Sequence, residues 1–158
     1  MRTQFFRTLL EIAEKDKKVI LLVGDLGFSF KEEFERVLPR QIINCGAIEQ
    51  TMVGIAAGLV LAGKKPYCYS ATPFLLFRAY EQVRNDVCYN SLNVKIIGTL
   101  TNDFLGFSHN LEGTENEEDL LKNLPEIERY YPQTKAELEE IINKTYQSKK
   151  PAYIRLTR

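Results

Sequence analysis

The sequence contains no tryptophan, one histidine, two methionines and only three cysteines in 158 residues. Cys45, Cys68 and Cys88 are too few and too separated for a disulfide framework, and His109 cannot complete a zinc site with them. Reduced thiols in or near a core are expected. Net charge is missing as well. Lys and Arg total 21 against 21 for Asp and Glu, so no positive excess remains to neutralise a phosphate backbone, and nucleic acid is a poor partner. The longest apolar stretch, Gly54 to Gly63, falls well short of the ~20 residues that span a bilayer, and the N-terminus lacks the apolar region of a secretory signal. A cytoplasmic, membrane-free protein is expected. Phosphate-binding and dinucleotide-binding glycine motifs are absent, Gly24-Asp25-Leu26-Gly27 has the wrong spacing for either, and no Ser or Cys sits in a nucleophile elbow.

What is present is a globular composition, 44% hydrophobic and 27% charged, in a length that suits one domain. From Lys18 to Leu26 runs a continuous apolar segment ending in Gly and Asp, as expected of a strand buried on both faces of a parallel sheet. Runs of strand length recur at Gln41 to Asn44, Lys65 to Tyr69, Val94 to Gly98, Glu128 to Tyr131 and Ala152 to Leu156. Helical patterns lie between them at Lys31 to Val37, Glu49 to Leu61, Leu75 to Cys88, Glu117 to Leu124 and Lys135 to Ser148, with Thr3 to Glu14 ahead of the first strand. This alternation predicts an α/β domain in three αβα layers, with a mostly parallel sheet of about six strands and a site at their carboxyl ends. Thr101 to Asn116 is the one long irregular stretch, and loops of that length in compact domains usually serve function.

Three places could carry chemistry. Asn44-Cys45-Gly46-Ala47-Ile48-Glu49-Gln50 leads from a strand into a helix with almost no polar face, so both sides of that helix should be covered, one by the sheet and one by another chain. Glu49 opens it. A helix-start carboxylate needs no function, since the helix dipole favours it; a desolvated one gains a raised pKa and can exchange a proton near neutrality. Second, Phe74, Phe77 and Tyr80 are spaced i, i+3, i+6 and would line one helical face, either as packed core or as a wall for a planar heterocycle. Third, the long loop holds His109 among polar residues.

Together and in this order, Gly24-Asp25-Leu26, the segment from Gly46 to Gly58, and the segment from Thr72 to Arg84 resemble the pyrimidine-binding domain of transketolase-like thiamine diphosphate enzymes. The resemblance implies that Glu49 hydrogen-bonds the aminopyrimidine ring nitrogen, that Phe77 stacks on the ring with Phe74 and Tyr80 completing the wall, and that Asp25 and Leu26 belong to the cofactor site. It implies a separate subunit that holds the diphosphate and its Mg2+ or Ca2+, because the Gly-Asp-Gly…Asn motif for that role is absent here. A homodimer of this chain, and a heterotetramer with the partner, would bury the helix face formed by Met52, Ile55, Ala56 and Leu59. Arg2, Ser29 and Arg158 match sugar-phosphate positions of transketolases. Family histidines are replaced by Asn102 and Asn116, and His109 lies between them. The implied activity is two-carbon ketol transfer on a sugar or sugar-derived substrate, with a 2-oxoacid decarboxylase or synthase subunit, or a non-catalytic relic of the fold, as alternatives.

Overall fold

The computed structural model describes residues 1–26, 30–99 and 117–156. Its described elements are α1 (Arg2–Lys15), β1 (Val19–Val23), α2 (Phe30–Val37), β2 (Ile42–Asn44), α3 (Glu49–Leu61), β3 (Lys65–Ala71), π1 (Phe74–Arg78), α4 (Tyr80–Gln82), π2 (Val83–Cys88), β4 (Lys95–Thr99), α5 (Glu117–Leu121), β5 (Glu128–Tyr130), α6 (Lys135–Gln147) and β6 (Ala152–Arg155). Every pairing in the six-stranded sheet, ordered β2-β1-β3-β4-β6-β5, is parallel. The expected α/β class and strand number are therefore observed.

Parallel strands need cover on both faces, and the sequence supplies it: every residue of β1 and of β4 is buried. Side chains alternate across the sheet into two cores. Ile20, Leu22, Cys68, Ile96 and Tyr153 point into the layer containing α3, π2 and α5. Leu21, Val23, Tyr67, Tyr69, Ile97 and Ile154 point into the opposite layer with Phe5 and Leu9 of α1, Phe34 of α2, and Leu138 and Ile142 of α6. Cys68 and Cys88 are buried and Cys45 is half-buried, all three as free thiols.

The strand order also locates a crevice. From β1 the chain turns one way to the edge strand β2, whereas β3 lies on the other side of β1 and leads on to β4. Adjacent strands whose connections diverge leave an opening at their carboxyl ends, where ligands of open α/β sheets bind. Gly24 at the end of β1 and Ser70 near the end of β3 stand at that opening.

One element departs from the expected form. The segment read as a regular helix from Leu75 to Cys88 is two π-helical stretches, Phe74–Arg78 and Val83–Cys88, flanking a short α-helical turn. Bonds of the i→i+5 type, such as Ala79 N to Phe74 O at 3.2 Å and Tyr89 N to Arg84 O at 2.9 Å, widen the turn, and π turns of this kind recur at functional sites.

Candidate functional site

The loop after β2 turns at Gly46, whose φ of 72° is the left-handed conformation that glycine adopts without strain. Asn44 Oδ1 accepts the Gly46 N–H at 3.0 Å and fixes the turn. Two residues on, α3 starts, and Glu49 is its first residue with 0% exposure. Its position at a helix N-terminus favours negative charge. Dipole alone does not satisfy a buried carboxylate, which needs hydrogen-bonded partners.

Both oxygens have one. Ser70 Oγ donates to Glu49 Oε1 at 2.7 Å, and Arg78 Nη1 donates to Glu49 Oε2 at 2.7 Å. The first contact depends on Gly24, where an added Cβ would stand 2.8 Å from Ser70 Oγ and 2.9 Å from Glu49 Oε1. Glycine at this position lets β1 run beneath the Ser70–Glu49 pair. The second contact comes from π1. Arg78 lies over the Phe74 ring at 4.2 Å and its side chain is 37% exposed, so the guanidinium joins a dry carboxylate to the open edge of the sheet.

The aromatic stripe takes a different form from the expected single face. A spacing of i, i+3, i+6 superposes side chains only at the ordinary helical step of about 100° per residue; in the wider π turn the three rings part. Phe74 carries Arg78, Phe77 is 43% exposed, and Tyr80 turns inward to donate to Leu120 O at 3.1 Å. The buried residues of the segment are instead Leu75, Leu76, Ala79 and Val83. Phe77 is the ring that faces outward.

The face expected between chains is also corrected. Met52 and Ala56 are 0% exposed within the chain's own core. The open side of α3 carries Thr51, Ile55 and Gly58, with Gly54 and Leu59 half-buried. A Cβ added at Gly54 or Gly58 would meet nothing within 4 Å, and Ile48, Ile55 and Leu61 are exposed nearby.

Of the remaining candidates, Asp25 is exposed just past β1 with φ 51°, and Leu26 packs against the core on the α1 side. Arg2 is exposed at the start of α1 and neighbours Tyr69, whose phenol is pushed up by burial and drawn back by Arg2 and Thr99. Ser29, Asn102, His109, Asn116 and Arg158 lie outside the described residues.

Sequence reasoning missed a second carboxyl at the same edge. Glu117, the first residue of α5, is 5% exposed. Tyr153 donates to its Oε2 at 2.9 Å, and Tyr153 in turn meets Thr72 Oγ1 at 3.1 Å. Arg155 Nη1 stands 2.9 Å from Oε1, an ion contact rather than an aligned hydrogen bond, because Oε1 has no aligned donor among the described residues. Burial pushes the Glu117 carboxyl up, against the pull of Arg155 and Tyr153. This chain of groups crosses β4 at Gly98, where a Cβ would collide with Thr72 Oγ1 and come within 2.6 Å of the Tyr153 hydroxyl. A glycine inside an otherwise bulky buried strand was the available signal.

A doubly covered parallel sheet with a dry carboxyl at its diverging strand ends defines an open α/β domain with its crevice at the carboxyl ends of β1 and β3. The family model for the transketolase pyrimidine-binding domain matches residues 1–158, and the chain belongs to that family. It is 33% identical over its whole length to the 6-deoxy-6-sulfo-D-fructose transketolase subunit SqwH of Clostridium sp. (strain MSTE9), covering 49% of that protein. It is 36% identical, over 78% of its length, to an apulose-4-phosphate transketolase subunit of Actinobacillus succinogenes, covering 40% of that protein. Among solved structures, an inactive β4 tetramer of a split-gene transketolase superposes with a TM-score of 0.84 at 32% identity, covering 98% of this chain and 50% of that one. The chain thus spans about half the length of the curated relatives it matches.

Proposed function

We propose that this chain is the pyrimidine-binding part of a split transketolase-like enzyme that activates thiamine diphosphate for two-carbon ketol transfer on a sugar or sugar-derived substrate. The observation that carries the reading is Glu49, a carboxyl with no solvent contact, presented at the strand-end crevice in a chain of this family. The residues fit such a cofactor. A carboxyl shielded from water can share a proton with a ring nitrogen without competition, and Phe77 offers an outward aromatic face for a planar ring.

When bound, thiamine diphosphate supplies a thiazolium carbon that attacks carbonyls once it has lost its proton. Glu49 would present Oε2 to the pyrimidine ring nitrogen and share a proton with it there. Ser70 fixes Oε1 and hence the plane of the carboxyl group, and α3 excludes water from behind. Phe77 would stack on the ring, with Phe74 and Tyr80 on the same segment, and Asp25 and Leu26 would form the β1 side. Diphosphate and its Mg2+ or Ca2+ belong to a separate partner subunit. The open side of α3, with Ile55 between Gly54 and Gly58, is where this chain meets another: small residues allow close approach and Ile48, Ile55 and Leu61 supply apolar area. Arg2, Ser29, Asn102, His109, Asn116 and Arg158 are the substrate-side candidates.

The test is hydrogen–deuterium exchange at the thiazolium carbon in the assembled enzyme, wild type against Glu49→Gln. Exchange should slow by about 10²-fold or more, the scale of a lost proton-transfer group, while cofactor affinity falls much less. Equal exchange rates would remove Glu49 from the mechanism.

A further inference from the structure

Glu49 has two oxygens, and they are not equivalent. Oε1 is enclosed between Ser70 Oγ at 2.7 Å and the bare Cα of Gly24, so tightly that one added methyl would press on both. Oε2 is the oxygen that leads outward, and Arg78 is on it. A guanidinium 2.7 Å from Oε2 points a donor at the same oxygen that a ring nitrogen would have to reach. Oε2 could accept a second donor, but with Arg78 in place Glu49 is 0% exposed, so a ring nitrogen reaches that oxygen only if Arg78 moves aside.

Arg78 is built to leave. Its side chain is 37% exposed, its planar group already rests on the Phe74 ring, and it sits in a π-helical turn at the sheet edge. Ser70 has none of these freedoms, being 0% exposed on a central strand. The exchange also has an electrostatic reason. Without a ligand, a buried carboxylate needs a countercharge; a neutral aminopyrimidine replaces Arg78 on Oε2 with uptake of one proton from solvent, shared between Oε2 and the ring nitrogen, after which no countercharge is needed.

We propose that Arg78 is a positioning residue that holds Glu49 through Oε2 before ligand arrives, and that an aminopyrimidine ring binds by taking Oε2 from it. This rests on the reading of Glu49 as the pyrimidine contact and adds to it an ordered exchange of partners at one atom.

Two measurements on the chain itself test it. The first is a double-mutant cycle in urea. Arg78→Met should raise the unfolding equilibrium constant about tenfold at neutral pH, a value kept modest by the exposure of the guanidinium. The same change in a Glu49→Gln background should alter it by less than about threefold, since the buried charge is gone. The second is a nuclear magnetic resonance titration with the free aminopyrimidine 4-amino-5-hydroxymethyl-2-methylpyrimidine. Arg78→Met, although destabilised, should bind this probe several-fold more tightly than wild type, Arg78→Lys should lie nearer wild type, and Glu49→Gln should bind most weakly. A stability loss paired with an affinity gain is an outcome that a merely structural arginine does not give. Wild type and Arg78→Met binding the probe equally, or Arg78→Met binding it more weakly, would overturn the exchange while leaving Glu49 as the contact. Absence of binding to every variant at millimolar probe would overturn the pyrimidine reading itself.

Discussion

Glu49 and Glu117 are built alike and behave differently. Each opens a helix, each is sealed from solvent at the carboxyl edge of the sheet, and each is met by one hydroxyl and one arginine. Each also depends on a nearby glycine, Gly24 just past β1 for the Ser70–Glu49 pair and Gly98 within β4 for the Thr72–Tyr153 pair. The difference lies in where the partners lead. From Glu49 the contacts end at Ser70 on one side and reach the surface through Arg78 on the other. From Glu117 the aligned bonds run inward through Tyr153 to Thr72, joining α5 to β6 and to the residue that follows β3, while Arg155, 28% exposed, meets Oε1 without an aligned bond. Tyr80 bonded to Leu120 ties the same helix to α4. One carboxyl has a hydrogen-bonded partner that reaches the surface; the other fastens three elements together. If the proposed exchange holds, a partner that can be replaced is what separates a functional buried acid from a structural one.

The glycines give the largest test of this contrast. Gly98→Ala places a methyl inside contact distance of Thr72 Oγ1 and 2.6 Å from the Tyr153 hydroxyl, both attached to rigid, fully buried side chains. It should cost about 3 kcal/mol by overpacking and loss of the bridge, read as a shift in urea midpoint. Gly24→Ala meets Ser70 Oγ at 2.8 Å and Glu49 Oε1 at 2.9 Å. The small Ser70 side chain can turn aside, so about 1–2 kcal/mol is expected, with a disproportionate fall in thiazolium exchange in the assembled enzyme. Equal stability losses at the two sites would erase the distinction.

Removing one hydroxyl from each network is a finer test. Tyr153 is the one aligned donor to Glu117 among the described residues, whereas Glu49 without Ser70 keeps Arg78. Tyr153→Phe should therefore cost about 2 kcal/mol and Ser70→Ala about 1 kcal/mol, the range for a buried polar group left without or with a remaining partner. Thermal denaturation of both variants under one buffer condition ranks them.

These two carboxyls also mark how far the sequence can be read. Strands and helices were legible because apolar runs and their spacing are local signals, and the burial of Glu49 was legible because it opens an unusually apolar helix. That helix, however, has no polar side, so nothing local says which face meets its own sheet; Met52 and Ala56 turned inward and Ile55 outward. The π turns of Phe74–Arg78 and Val83–Cys88 left no spacing to detect, and with them went the single aromatic face. Glu117 was only the first residue of an expected helix, because its burial is imposed by Tyr153 and by the missing side chain of Gly98, on strands distant in sequence.

The smallest expected effect is the most specific to Glu117, and it is one of pH. Burial raises the carboxyl above its unfolded value, so the folded state holds the proton more tightly than the unfolded state. The stability this contributes is fully present below the ordinary glutamate pKa and is lost as pH rises through the folded value. Glu117→Gln keeps the size and a donor but does not titrate. Urea unfolding of wild type and Glu117→Gln from acid to neutral pH should therefore show wild type most favoured at the acid end, with the gap narrowing toward neutrality. The ion contact with Arg155 opposes burial, which keeps the slope shallow and makes its sign the informative quantity. A gap that widens with pH would mean that Arg155 outweighs desolvation, so that Glu117 is carried as an anion and the two carboxyls are more alike than their hydrogen bonds suggest.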